Sequence, residues 1–383
     1  MEQEGWRRGL GNVSGKLFKL LKSFCRWQGG DIVFIAAGLG DAALYRTDHI
    51  AEELNFYGFR AVVLYKDDPF LMQKIKRFKI VIFHRVTEDG KVKKILSQLK
   101  RRRQVFIYDT DDLVFDLELF KQTDAYKNFN DWQKKQYEKS VGLGILKNKE
   151  LAGITTPTSF LAGKLKRFGK PVFVVKNKLS QQDLEWSWQA RKIYLKRAEG
   201  ANKEVRLGYF SGSITHNRDF ATIIPALTSI LSKRKNVFLY LVGYLDLVDD
   251  EFYNCFVGQI RRLPFVSRRK HFQNIAQVDI NLAPLEMNDY CQAKSELKFV
   301  EAGVVGVPTV AVRNQTFSEA IDDGKTGLLA GNTEEWREQL EKLICDGEYR
   351  RTVGENARQL VLKKYLTTSG DNRDYYRFLE KHL

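Results

Sequence analysis

Tyr290-Cys-Gln-Ala-Lys-Ser-Glu-Leu-Lys-Phe-Val-Glu-Ala-Gly-Val-Val-Gly-Val-Pro-Thr-Val-Ala-Val312 is the stretch on which the reading of this chain turns. It reads as a loop, a short helix, a glycine turn and a buried strand. Ser295 is the expected N-cap, and Leu297, Val300 and Val304 share one helical face. Gly306 and Pro308 end the helix, and residues 309–312 suit a buried parallel strand. A polar loop entering a helix at the carboxyl edge of such a sheet binds anions, because free backbone N–H groups and the helix dipole point at the ligand. Lys294 adds a positive charge there, with Ser295, Glu296 and Lys298 beside it. Glu301, a turn and a half into the helix, is placed to reach a hydroxyl pair. Phosphate at the helix start and a carboxylate for a ribose predict a nucleotide site. The competing reading is an ordinary α/β helix with a solvated Glu301.

Working outward, apolar runs alternate with helical stretches. Strands are expected at residues 32–37, 61–65, 79–84, 104–108, 152–158 and 171–175, with helices between them. Residues 183–199 form a charged helix containing Trp186 and Trp188, and the domain boundary is placed there. A second series has strands at 205–211, 237–243, 278–284 and 309–312, and helices at 219–231, 332–345 and 348–365. Such alternation means parallel βαβ units, an α/β fold. The expected organisation is a basic segment 1–28, a first Rossmann-like domain 29–180, a second one 204–365, and a terminal helix 366–383. The 383 residues suffice for two domains, and only seven prolines argue against long disordered linkers.

The formal charge of +16, from 63 Lys and Arg against 47 Asp and Glu, asks for an anionic partner. The most localised clue is residues 16–27, where Leu17, Leu20, Leu21 and Phe24 alternate with Lys16, Lys19, Lys22 and Arg26. A short basic amphipathic helix of this kind lies in the headgroup region of an anionic membrane, or else packs on the following domain. Lys100-Arg-Arg-Arg103 raises nucleic acid as a partner, but no recognition motif accompanies it. The four cysteines, Cys25, Cys255, Cys291 and Cys345, contain no C-x-x-C pair, so neither zinc nor a disulfide framework is indicated. No run approaches the ~20 apolar residues that span a bilayer, and no secretory signal is evident. A cytoplasmic protein, peripheral at the inner membrane face, is expected.

The segment 294–311 resembles the donor-nucleotide segment of the group 1 (family 4) glycosyltransferases, whose fold is GT-B: two Rossmann-like domains facing a central cleft. The resemblance implies that Glu301 holds the nucleotide ribose. The family has a second acid eight residues before it, where this chain has Ala293; Glu296 is the nearest acid. After the strand 205–211, Gly212, Ser213, His216, Asn217 and Arg218 offer a tight turn and donors suited to a diphosphate. The family grips the diphosphate at this place with an Arg and a Lys, to which Ser213 and Arg218 stand closest. Gly38 and Gly40 after the first strand correspond to a glycine turn facing the donor, with Asp41, Tyr45 and Arg46 near the reaction centre.

His84 follows a buried strand and suits work on a hydroxyl near neutral pH. Asp109-Thr-Asp111-Asp112 has the Asp-x-Asp form of the metal motif of the other glycosyltransferase fold, GT-A. The anion sites downstream argue instead for GT-B, where no metal is needed and Asp109, Asp111 and Asp112 sit at the acceptor side, to orient an acceptor hydroxyl or accept its proton. The function the resemblance implies is transfer of a sugar from a nucleotide-sugar to a hydroxyl of a glycan or lipid-linked acceptor, with retention and without a metal or cofactor. The rivals are a nucleotide-sugar epimerase on the same fold, a nucleic-acid binder and an inactive homologue.

Overall fold

The computed structural model describes residues 29–383 except 39, 122–125, 127–129, 132–133, 135–140, 200–203, 213–216 and 246–249. The chain divides into two compact units. The first joins the residues up to 178 with Gly370–Leu383, and the second is essentially Leu179–Ser369. The amphipathic stretch 16–27 lies outside the described residues.

The first unit is built on six parallel strands: β1 (Ile32–Ala36), β2 (Ala61–Tyr65), β3 (Ile80–His84), β4 (Val105–Asp109), β5 (Gly153–Thr156) and β6 (Val172–Val174), in the order β2-β1-β3-β4-β5-β6. β1 and β3 are buried at every position, as expected of strands covered on both faces. The register aligns Ala36 with His84, His84 with Asp109 and Asp109 with Thr155 along the carboxyl edge. Paired positions on neighbouring strands point to the same face, so this row gathers a histidine, a carboxylate and a hydroxyl with no loop involved.

The expected helix at 41–55 is interrupted. Leu44–Asp48 is a π-helical turn between Asp41–Ala43 and His49–Phe56. Tyr45, Arg46 and Thr47 of that turn are all buried. The last helix, Arg373–Glu380, belongs to this unit: Tyr375 and Leu379 lie in one apolar cluster with Ile32, Phe34, Ile107 and Val175. Buried Glu53 receives Lys178 Nζ at 2.7 Å, Asn372 Nδ2 at 2.7 Å and the Tyr376 hydroxyl.

The second unit has a matching sheet of β7 (Val205–Ser211), β8 (Val237–Gly243), β9 (Ile260–Leu263), β10 (Ile280–Ala283), β11 (Thr309–Val312) and β12 (Leu328–Ala330), all parallel in the order β12-β11-β10-β7-β8-β9. The chain is thus α/β with two parallel six-stranded sheets. The strand order reverses beside β7, which has β10 on one side and β8 on the other. β9 and β12 escape the sequence reading because both are short edge strands, and β9 carries the exposed pair Arg261 and Arg262. The expected helix 219–231 is two helices, Asn217–Ala221 and Ile224–Lys233, with Pro225 in the first turn of the second.

Gly243 ends β8 at φ +99°, and a Cβ there would lie 2.0 Å from the Ser211 carbonyl oxygen. Only glycine lets β8 close on the end of β7. The helix Leu297–Val305 connects β10 to β11 and ends at Gly306, φ +93°. Asn281 of β10 fixes its start, donating to the Lys298 carbonyl and to Thr309 Oγ1, both at 3.0 Å.

Replacing Leu379 with Ala removes a fully buried side chain from the first unit's core. The expected loss is about 2–5 kcal/mol, read as a lower urea midpoint.

Candidate active site

In the first unit, the row at the carboxyl edge becomes a polar network centred on Asp109, which is fully buried. Arg46 grips both carboxylate oxygens, Nε to Oδ1 at 3.2 Å and Nη2 to Oδ2 at 2.6 Å. Thr155 Oγ1 donates to Oδ2 at 2.7 Å, and His84 Nδ1 lies 2.8 Å from Oδ1. Burial alone would raise the Asp109 pKa, but Arg46 and His84 outweigh it and hold the carboxyl well below the usual range. The ionised carboxylate only accepts, so His84 Nδ1 carries the proton and, in the neutral ring, Nε2 is an acceptor. His84 lines a pocket of about 360 Å³ with Gly38, Gly40, Ala43, Arg85 and Thr87. A Cβ on Gly38 or Gly40 would meet no atom within 4 Å, so packing leaves open space at both.

One expectation is corrected here. Arg46 is not at a binding surface: it is fully buried, and its Nη1 is taken up by Asn177 Oδ1 at 3.1 Å and the Val175 carbonyl. The π turn carries it inward to Asp109. Of the three acids after β3's neighbour β4, Asp109 touches His84, while Asp111 and Asp112 do not line its pocket. Those two are held by Arg85, at 2.5 Å and 3.2 Å. Arg85 adopts φ +49° directly after β3, which turns its side chain onto the pair.

In the second unit, the carboxyl end of β7 meets the helix Leu297–Val305 beside the point where the strand order reverses, the usual ligand crevice of an open α/β sheet. Lys298 donates to the Phe210 carbonyl, and its ammonium stands 4.8 Å from the centre of the buried Tyr209 ring. Desolvation lowers its pKa to about 8, against the pull of Asp219 and Glu301. Asp219 is buried and accepts from the Glu286 amide at 2.9 Å. The Lys294 ammonium lies 4.2 Å from the Tyr290 ring centre. Glu301 is held between Arg268 Nη1 at 3.2 Å and His271 Nε2 at 3.1 Å. Arg268 is itself anchored by buried Asp183 at 2.6 and 2.9 Å.

Ser295 is not the helix cap. That position belongs to Glu296, and no side chain caps the helix. Nor is Glu296 an acid open to a ligand. It is 3% exposed and accepts from the Tyr365 hydroxyl at 3.0 Å, so it does not stand in for an acid at Ala293, which is itself fully buried. Gly212 has open space at its Cβ position, and Arg218 is exposed on the helix Asn217–Ala221. Ser213 and His216 lie outside the described residues. The sequence reading passed over Asp219, Arg268, His271 and Asp183, because each acts through a long-range partner. No local spacing marks them.

Asp219, Glu286 and Cys291 bring one potential metal-ligand atom each to within 4.8 Å of one another. Burial and Asp219 push the Cys291 thiol far up, and it donates to Asp219 Oδ1 at 3.5 Å. Without a metal the three groups form a hydrogen-bonded cluster about Asp219.

The fold is that of an α/β protein of two units, each with a parallel six-stranded sheet. Residues 192–360 match the family model of glycosyl transferases group 1. That match lies within the second unit and spans less than half of the chain, and the fold of the chain is that of the GT-B glycosyltransferases. It is 26% identical over 168 residues to the capsular polysaccharide biosynthesis glycosyltransferase CapM of Staphylococcus aureus, a match spanning 43% of each protein. Its structure is similar to HepE of Anabaena in complex with UDP (TM-score 0.61, 15% identity, 92% of this chain and 100% of that one). A glycosyltransferase from Rickettsia africae is similar too (TM-score 0.62, 14% identity, 93% and 99%). No described helix is long and apolar enough to cross a membrane.

Breaking the buried ion pair by replacing Arg46 with Ala strands an ionised carboxylate. A loss of about 3–5 kcal/mol is expected, seen as a lower urea midpoint. Arg85→Ala, at a half-buried pair, should cost far less.

Proposed function

We propose that this protein transfers a sugar from a nucleotide-sugar to a hydroxyl of a glycan or lipid-linked acceptor, with retention and without a metal or cofactor. The observation that carries this reading is the crevice at the start of the helix Leu297–Val305, where a desolvated lysine and a bridged carboxylate share one helix. In this reading, Lys294, Lys298, Arg218 and the backbone amides around Gly212 hold the diphosphate. Glu301, fixed by Arg268 and His271, accepts from the ribose hydroxyls. HepE in complex with UDP and CapM, by its name, support a nucleotide donor and a polysaccharide product.

The acceptor oxygen bonds to the anomeric carbon as the bond from that carbon to the diphosphate breaks. The acceptor proton passes to the departing diphosphate, whose charge the cations stabilise. His84 Nε2 accepts a hydrogen bond from a sugar hydroxyl in the first unit's pocket, and Asp109 keeps the ring in the tautomer that can do so. Retention rests on the family resemblance. Metal independence likewise rests on the resemblance. Ala293, apolar where the family has an acid, favours a donor sugar that is not gripped by a carboxylate at that point.

Nucleotide affinity is the first test. A panel of nucleoside diphosphates and nucleotide-sugars, with and without EDTA, should raise the melting temperature selectively and without metal dependence. Glu301→Ala should weaken binding roughly 10-fold or more, since a charge-assisted hydrogen bond is worth about 1.5–3 kcal/mol. Unchanged affinity would sink the assignment. For Lys298 the charged form is present below about pH 8 and lost above it. Diphosphate affinity should therefore fall as the pH rises from 7 to about 9, and a Lys298→Met variant should be weak and flat across that range. Loss of activity with EDTA, restored by Mn²⁺, would refute the metal-free reading. Conversion of the nucleotide-sugar with no acceptor present would point to an epimerase.

A further inference from the structure

A groove of about 500 Å³ runs along the helix Gln181–Glu199 in the second unit, lined by Trp188, Arg191, Lys192, Leu195 and Arg358, with Glu185 the one acid. Trp188, Lys192 and Leu195 are four and three residues apart, so they share a helix face. Trp188 is 52% and Leu195 42% exposed, large apolar groups left in water on a rigid helix.

The cations beside them are unevenly matched. Arg191 is satisfied, donating to the Val305 carbonyl at 3.0 Å and to Glu355 at 2.5 Å. Arg358 is not: its Nε is buried without a hydrogen-bond partner. Both converge on Gly306, where a Cβ would lie 2.2 Å from Arg191 Nη1 and 3.9 Å from Arg358 Cδ. Burial, and then repulsion by Arg191, lower the Arg358 pKa. An anion reaching Arg358 and Lys192 would relieve that repulsion.

We infer that this groove docks an anionic phospholipid surface, with Trp188 and Leu195 entering the interface and Lys192 and Arg358 meeting lipid phosphate. An indole and a leucine ringed by long cationic side chains is the composition of interfacial anchors. The charge of +16 complements such a surface. This surface is separate from the nucleotide crevice and does not rest on the transfer reaction.

The test uses the full chain with vesicles of brominated phosphatidylcholine, alone or mixed with phosphatidylglycerol. Brominated chains quench a tryptophan that enters the interface. Quenching should require phosphatidylglycerol, and Trp188→Phe should remove a distinct component of it, whatever other tryptophans contribute. The double variant Lys192→Gln, Arg358→Gln should bind the mixed vesicles roughly 30-fold more weakly, each cation near an anionic surface being worth about fivefold. Nucleotide-induced thermal shifts serve as the folding control. Equal quenching of wild type and Trp188→Phe overturns the inference, as does vesicle binding indifferent to phosphatidylglycerol. Binding of polyglutamate at this groove with no Trp188 quenching would make it a protein-docking site and overturn it equally.

Discussion

Asp109 is a charge with no access to water, and the first unit is organised around keeping it ionised. An isolated carboxylate in such a place would take up a proton, because desolvation penalises its charged form. Four donor contacts prevent this: two from Arg46, one each from Thr155 and His84. None is adjacent in sequence. β3 and β5 bring two of them by register alone. The third needs a departure from regular helix, the π turn at Leu44–Asp48, and π turns often appear where a side chain must be re-aimed. The reward of the arrangement is directional. A histidine at the pocket wall is fixed in one tautomer by a group that never meets the ligand.

The second unit solves a different problem with the helix Leu297–Val305. Its first turn bears Lys298, its middle bears Glu301, and its end must turn sharply into β11. Each point is pinned by a distant partner: Asn281 at the start, Arg268 and His271 at the middle, Arg191 at the last carbonyls. Gly306 makes the close pass of Arg191 possible. Gly243 does the same for the neighbouring strands. These are tolerances of the backbone, and they let the elements around the crevice pack closely.

The fold was legible because the buried strands carry their own signature. Runs such as Ile32–Ala36 and Val237–Gly243 are apolar and β-branched, and helices separate them. The short edges lacked that signature: β9 carries the exposed Arg261 and Arg262, and β12, though buried, is only three residues long. The site was legible in outline for a similar reason: Lys294, Lys298 and Glu301 share one local motif. What escaped was pairing. Arg46 looks like any helical arginine until β4 and the π turn bring it to Asp109. Glu296 looks like a spare acid until Tyr365, some seventy residues on, occupies it. Ser295 has the right chemistry for a cap but lies one position too early.

One core element of the first unit, the helix Arg373–Glu380, follows the second unit in the sequence. Tyr375 and Leu379 seal the first unit's apolar cluster, and Asn372 and Tyr376 satisfy Glu53, yet the whole of Leu179–Ser369 is synthesised before them. During translation the nascent first unit therefore waits, with a buried-to-be carboxylate and an open apolar face, while the second unit already has every strand it needs. Although domains generally mature from the N-terminus onward, here the order of completion runs backwards. The interval is one in which a chaperone, rather than the chain itself, has reason to shield that face.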